Sequence, residues 1–208
     1  MLGFGAGALI SAVSFELAQE GALEAGGGWV GLGLAIGALT YYGLDGLVEK
    51  MGSSGSGEQH GGAGGSAGTA LALGAFLDGI PEQAVLGIGI AAGEGVSVGL
   101  LAAIFVSNLP EAIGSASAMR AGGRPPRQII QLWTGVAIIC TLASVGGYAL
   151  ADAAGGELKG VINGFAAGAL IVMLVDSMIP EATKQAGRTT GLLTTLGFAV
   201  AAALSGIS

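Results

Sequence analysis

Charge is what this chain has least of. Only 10% of its 208 residues are Asp, Glu, Lys or Arg, against roughly a quarter in a soluble domain. The hydrophobic fraction, 52%, lies near the 45–50% or so of soluble proteins and decides little. The shortage of charge decides, because the few charged residues fall mainly between apolar runs and the mean hydropathy is +0.76. A water-soluble domain is excluded; this composition is that of an integral membrane protein. The single cysteine, Cys140, rules out a disulfide framework or a Cys-based metal centre. It lies in an apolar run and reads as a buried structural thiol. The single histidine, His60, sits in a Gly/Ser-rich stretch, as a solvated side chain or as a weak metal-capture ligand, since one imidazole alone binds poorly. A net charge of −7 argues against nucleic acid as a partner. No positively charged segment precedes the first apolar run, so no signal peptide is read.

What the chain does have is glycine, 42 residues of it, set among Ala, Leu, Ile and Val. In a membrane bundle small residues let helix backbones approach closely. Seven apolar runs are drawn, at about 2–19, 27–48, 67–93, 96–119, 128–151, 160–181 and 189–207, each near the 20 or so residues that cross a bilayer. The expectation is an all-α polytopic membrane bundle of about seven transmembrane helices in one domain, 1–208, with a flexible cytoplasmic loop at 52–68. Six of the seven basic residues (Lys50, Arg120, Arg124, Arg127, Lys184, Arg188) follow the second, fourth and sixth runs. The positive-inside rule then places those loops and the N-terminus in the cytoplasm of a multi-pass cell-membrane protein. Trp29, Trp133 and Tyr148 lie near run ends and suit interfacial anchors among the lipids.

Three of the five prolines stand directly before a glutamate: Pro81-Glu82, Pro110-Glu111 and Pro180-Glu181. Acids inside an apolar run are expensive to insert and mark ion or proton paths. Asp78 and Glu82 are four apart, as are Ser107 and Glu111, while Asn108 and Glu111 are three apart; each set shares one helix face. Pro81 and Pro110 cannot donate a backbone N–H, which frees the carbonyls of Leu77 and Val106. Such backbone is tolerated in a membrane where it faces protein or a water-filled cavity. Pro-Glu pairs also open helices, but uninterrupted apolar sequence flanks Pro81 and Pro110. For Glu181, followed by Lys184 and Arg188, an interfacial position stays open, and Asp176 is the better site candidate. Glu16 and Glu20, near the outer end of the first run, read as surface acids or as a funnel for cations.

At these motifs the chain resembles the ZIP (Zrt/Irt-like) family of divalent metal transporters, in particular its bacterial permease branch. Asp78-Gly79-Ile80-Pro81-Glu82-Gln83 resembles the family's fourth-helix His-Asn-x-Pro-Glu-Gly motif. Ser107-Asn108-Leu109-Pro110-Glu111 resembles the fifth-helix motif, Asp176 to Ala182 a stretch of the seventh, and Gly3 to Glu20 the second helix. The resemblance implies an eight-helix fold, here lacking the first helix, with a mid-membrane metal site and elevator-like or rocking alternation. It also implies that Glu82 and Glu111 bridge the metal. Departures fall on the histidines: Asp78 and Ser107 stand in two of their places, and Gly79 replaces the neighbouring Asn. An all-oxygen site of Asp78, Glu82, Ser107, Asn108, Glu111 and Asp176 is expected. Zinc is implied by the resemblance, while hard donors leave manganese or ferrous iron open.

The function expected is therefore divalent-cation transport with no chemical catalysis, no cofactor beyond the transported metal, and a homodimer left open. Two alternatives stand beside it. One is a degenerate relative that binds or scaffolds without transporting, and the other a proton-coupled exporter of a small solute using the same acids.

Overall fold

The computed structural model describes residues 1–54, 63–93 and 98–205; within its helices the side chains of residues 48–71, 73, 98–99, 107 and 111 are not among those described. Seven helical rods make up the described chain. α1 is the rod Leu2–Ala25, built from α-helix Leu2–Ala12, a π-helical stretch Val13–Gln19 and α-helix Glu20–Ala25. α2 is Gly27–Ser54, α3 Ala63–Ala91, α4 Val98–Ala121 and α5 Pro126–Ala153. α6 is the rod Glu157–Ala186, π-helical over Leu174–Met178, and α7 is Thr189–Ser205. Among the described residues no strand occurs, and five rods, all but α3 and α7, contain helix long and apolar enough to cross a membrane. The protein is a polytopic membrane helix bundle.

Several sequence expectations shift at the edges. The first run is drawn to residue 19, but helix continues past Gln19 through Glu20 and Glu24 to Ala25 and stops at Gly26, whose φ of 88° suits glycine. The ends of the 52–68 linker are helical as far as Ser54 and again from Ala63, because glycine weakens a helix by only about 1 kcal/mol per residue and Ala restores it. Residues 55–62, His60 among them, lie outside the described residues. Trp133 is no interfacial anchor. It packs against the cluster of Ala72, Met119 and Ile129, and its indole N–H is buried without a hydrogen-bond partner. Cys140 is half-buried, against Gly79, rather than fully buried.

Glycine decides which rods pair. A Cβ on Gly33 or Gly37 of α2 would strike the carbonyl oxygens of Val161 or Phe165 on α6. In return, one on Gly164 or Gly168 of α6 would strike those of Val30 or Leu34 on α2. The same reciprocity joins α1 to α7 through Gly7 and Gly197, and α3 to α5 through Gly87 and Gly147. Numbers rise together along each pair, so the paired rods run parallel. Backbones approach this closely only where neither carries a side chain.

α1 and α6 form the centre. Leu9, Val13 and Leu17 pack with Leu170, Met173 and Leu174 in one buried cluster. Of the most apolar window of each rod, 61% of α1 and 56% of α6 is buried, but only 6% of α5. Leu39 on α2, Leu142 and Leu150 on α5 and Leu192 on α7 point outward, an apolar exterior that lipid, not water, would solvate.

Candidate metal site

Helix α3 runs unbroken through Pro81, and α4 through Pro110. Glu82 is therefore not a helix-start acid; it lies inside a rod, one turn from Asp78. Both carboxylates are buried, Asp78 at 6% and Glu82 at 1% exposure. An acid so far from water persists only with polar partners, and the partners come from three other rods.

Asp78 is held from two sides. Tyr41 of α2 donates its hydroxyl to Oδ1 at 2.5 Å, and Ser177 of α6 donates to Oδ2 at 2.8 Å. These bonds cross beside an otherwise apolar cleft of about 500 Å³, lined by Tyr41, Leu44, Ile80, Pro81 and Phe165, which separates α2 and α6 from α3 and α5. Glu82 is held from α4, where Asn108 Nδ2 donates to Oε2 at 2.5 Å and to the Ile104 carbonyl at 2.9 Å. The two acids of one helix thus tie α3 to α2, α6 and α4.

Of the residues expected at the site, Asp78, Glu82 and Asn108 come together. Ser107 and Glu111 lie on α4 one residue before and three after Asn108, but their side chains are outside the described residues. Asp176 goes elsewhere. It is exposed in an outer groove beside Leu39 and Tyr42 of α2 and Val172 and Val175 of α6. Its neighbour Ser177 takes the place beside Asp78, and the cause lies in the π-helical stretch around it. Pro180 cannot donate to the Asp176 carbonyl and its ring would crowd it. The wider turn at Leu174–Met178 makes room and shifts the face register of the helix by one residue. Glu181 lies at the rod end, contacting Lys184 at 3.5 Å and Gln185 at 3.1 Å. Among the described residues no three His, Cys, Asp or Glu side chains converge as a metal cage; the described donors are two carboxylates and one carboxamide.

Sequence reading missed Tyr41 and Ser177. The signal for Tyr41 was a phenol within an apolar run, because a buried tyrosine hydroxyl almost always finds a partner. Tyr41→Phe is expected to lower stability by about 1–2 kcal/mol, the scale of an interhelical bond to a carboxylate. Unfolding of the purified protein in mixed micelles measures it, and no change would mean that the phenol does not hold Asp78.

Known proteins add a relative. Over 188 aligned residues, 88% of this chain, it is 30% identical to an Arabidopsis thaliana protein named "Putative zinc transporter". The alignment spans only 30% of that relative's length. No family model matches the chain.

Proposed function

We propose that this chain is a ZIP-type transporter that carries a divalent metal cation across the membrane through a carboxylate site on α3 and α4. One observation carries the reading: Glu82, 1% exposed, meets Asn108 of a second rod inside a bundle of apolar helices. Burying an acid in such a place is costly, and intramembrane acids mark ion paths. Similarity to a protein named as a zinc transporter supports the same class of cargo.

In this reading Glu82 and Glu111 bridge the ion from two helices, and Asp78 and Asn108 complete its shell with help from Ser107. The carbonyl of Leu77, left without an N–H donor by Pro81, is a further oxygen on the same helix. Hard oxygen donors suit manganese and ferrous iron as well as zinc. Asp176, on the outer groove, is better placed at an exit than in the shell. The six basic residues at the Arg124 end face the cytoplasm, with the N-terminus on that side.

Proteoliposomes loaded with a metal-sensitive dye test this directly. Saturable Zn²⁺, Mn²⁺ or Fe²⁺ influx well above protein-free vesicles is expected. It should fall as the medium is acidified, because protons compete with metal for carboxylate ligands. Influx equal to that of empty vesicles for all three ions would leave only a binding or scaffolding role.

A further inference from the structure

The bonds at Asp78 set the depth of two residues that face away from it. Tyr41 and Ser177 both reach Asp78, so their chain neighbours, Tyr42 on α2 and Asp176 on α6, lie at the same level of the bundle. Both neighbours line the outer groove of about 420 Å³, whose other walls include Leu39, Ile171, Val172 and Val175. Ten residues of helix, about 15 Å, separate Asp176 from the rod end at Ala186. That is half of the roughly 30 Å hydrocarbon core, so lipid tails would be the groove's solvent.

An acid exposed to lipid tails at that depth is expensive, and acids in membrane spans turn toward protein or water. Asp176 is nonetheless exposed, and it makes no hydrogen bond or ion pair among the described residues. The Tyr42 hydroxyl beside it, on a side chain 67% exposed, makes none either. One face thus shows an acceptor and a donor that are not bonded to each other. Lipid tails satisfy neither. A second copy related by a two-fold axis satisfies both, because it brings Tyr42 to Asp176 and Asp176 to Tyr42.

Glycine supplies an independent observation. Leu32, Ile36, Leu39, Gly43 and Gly46 follow at steps of three or four and form one ridge of α2. The three leucine and isoleucine side chains of that ridge are exposed, Leu39 at 71%. Gly33 and Gly37 are taken up by α6, but a Cβ on Gly43 or Gly46 would meet no atom within 4 Å. Small residues on an open ridge admit the close approach of a further helix.

We infer that the groove between α2 and α6 is the interface of a two-fold dimer of this chain, with the α2 ridges in contact and Tyr42 of each copy donating to the partner's Asp176. Tyr42 engages one carboxylate oxygen, and the other keeps lone pairs for an ion leaving the bundle. The dimer stands or falls independently of the transport reading.

Subunit counting by single-molecule photobleaching tests it, with the full chain in liposomes over a range of protein densities. Wild-type protein should dimerise. Tyr42→Phe and Asp176→Leu should each weaken the dimer about tenfold, since each removes two interhelical bonds. Gly43→Ile, which blocks the ridge, should leave monomers at every density. Leu142→Ala on lipid-facing α5 should match wild type, and an aggregate-free size-exclusion profile certifies that each variant is folded. Wild-type monomers at every density would overturn the inference, as would dimers that the three groove variants leave unchanged. So would a monomer found by native mass spectrometry to carry a lipid that Asp176→Leu releases, which would give the groove to lipid.

Discussion

Replacing Glu82 with Gln should abolish metal flux in proteoliposomes while leaving the protein folded. Gln has the same shape, and its amide oxygen can still accept the bond that Asn108 now gives to Oε2. What disappears is the negative charge, which a cation inside an apolar bundle cannot do without. Loss of groups that merely support a metal ligand lowers affinity about 10–100-fold, so loss of the ligand itself should lower it by at least about 100-fold. Two readouts distinguish a dead site from a broken protein. Size-exclusion profile and melting temperature should match wild type, and uptake should drop to the level of empty vesicles. Wild-type uptake by Glu82→Gln would remove Glu82 from the ion's path.

Gly164→Val is expected to have the larger effect on folding. A Cβ at Gly164 meets the backbone carbonyl of Val30 rather than a side chain that could turn away. Relief requires α2 and α6 to move apart, and separation undoes the matching contacts at Gly33, Gly37 and Gly168. Overpacking in a tight core typically costs about 1–3 kcal/mol; a backbone obstacle at a reciprocal crossing should reach the upper end or exceed it. The expected result is little monodisperse protein after detergent extraction. Gly31→Ala on the same helix α2 is the internal control, because nothing lies within 4 Å of a Cβ there. Ala at a helical position is worth up to about 1 kcal/mol over Gly, so Gly31→Ala should extract as well as wild type. Equal behaviour of the two variants would show that the glycine crossing does not hold the pair together.

The two experiments probe different parts of one arrangement. α2 and α6 are fastened by glycine contacts, as are α3 and α5. Across the apolar cleft, the hydroxyls of Tyr41 and Ser177 reach Asp78. One carboxylate, Asp78, thus joins the two helix pairs across the cleft, and each of its oxygens keeps a further lone pair. Glu82 has a different attachment, to Asn108 on α4.

The amino-acid sequence by itself determined the membrane class, the seven apolar runs and the pair of acids, Asp78 and Glu82, that the fold buries on α3. Those follow from local quantities: charge density, run length and i,i+4 spacing on a helix that continues through proline. It also singled out Asn108, which donates to Glu82 from the neighbouring rod. Tertiary structure alone decided that Ser177 and not Asp176 faces Asp78, because a wide turn ahead of Pro180 changes the register in a way residue spacing does not encode. Tyr41 likewise became legible only once distant rods were packed. Tyr41 shares no helix with the acid it faces, and an interhelical partner is a property of two packed surfaces and not of one stretch of sequence.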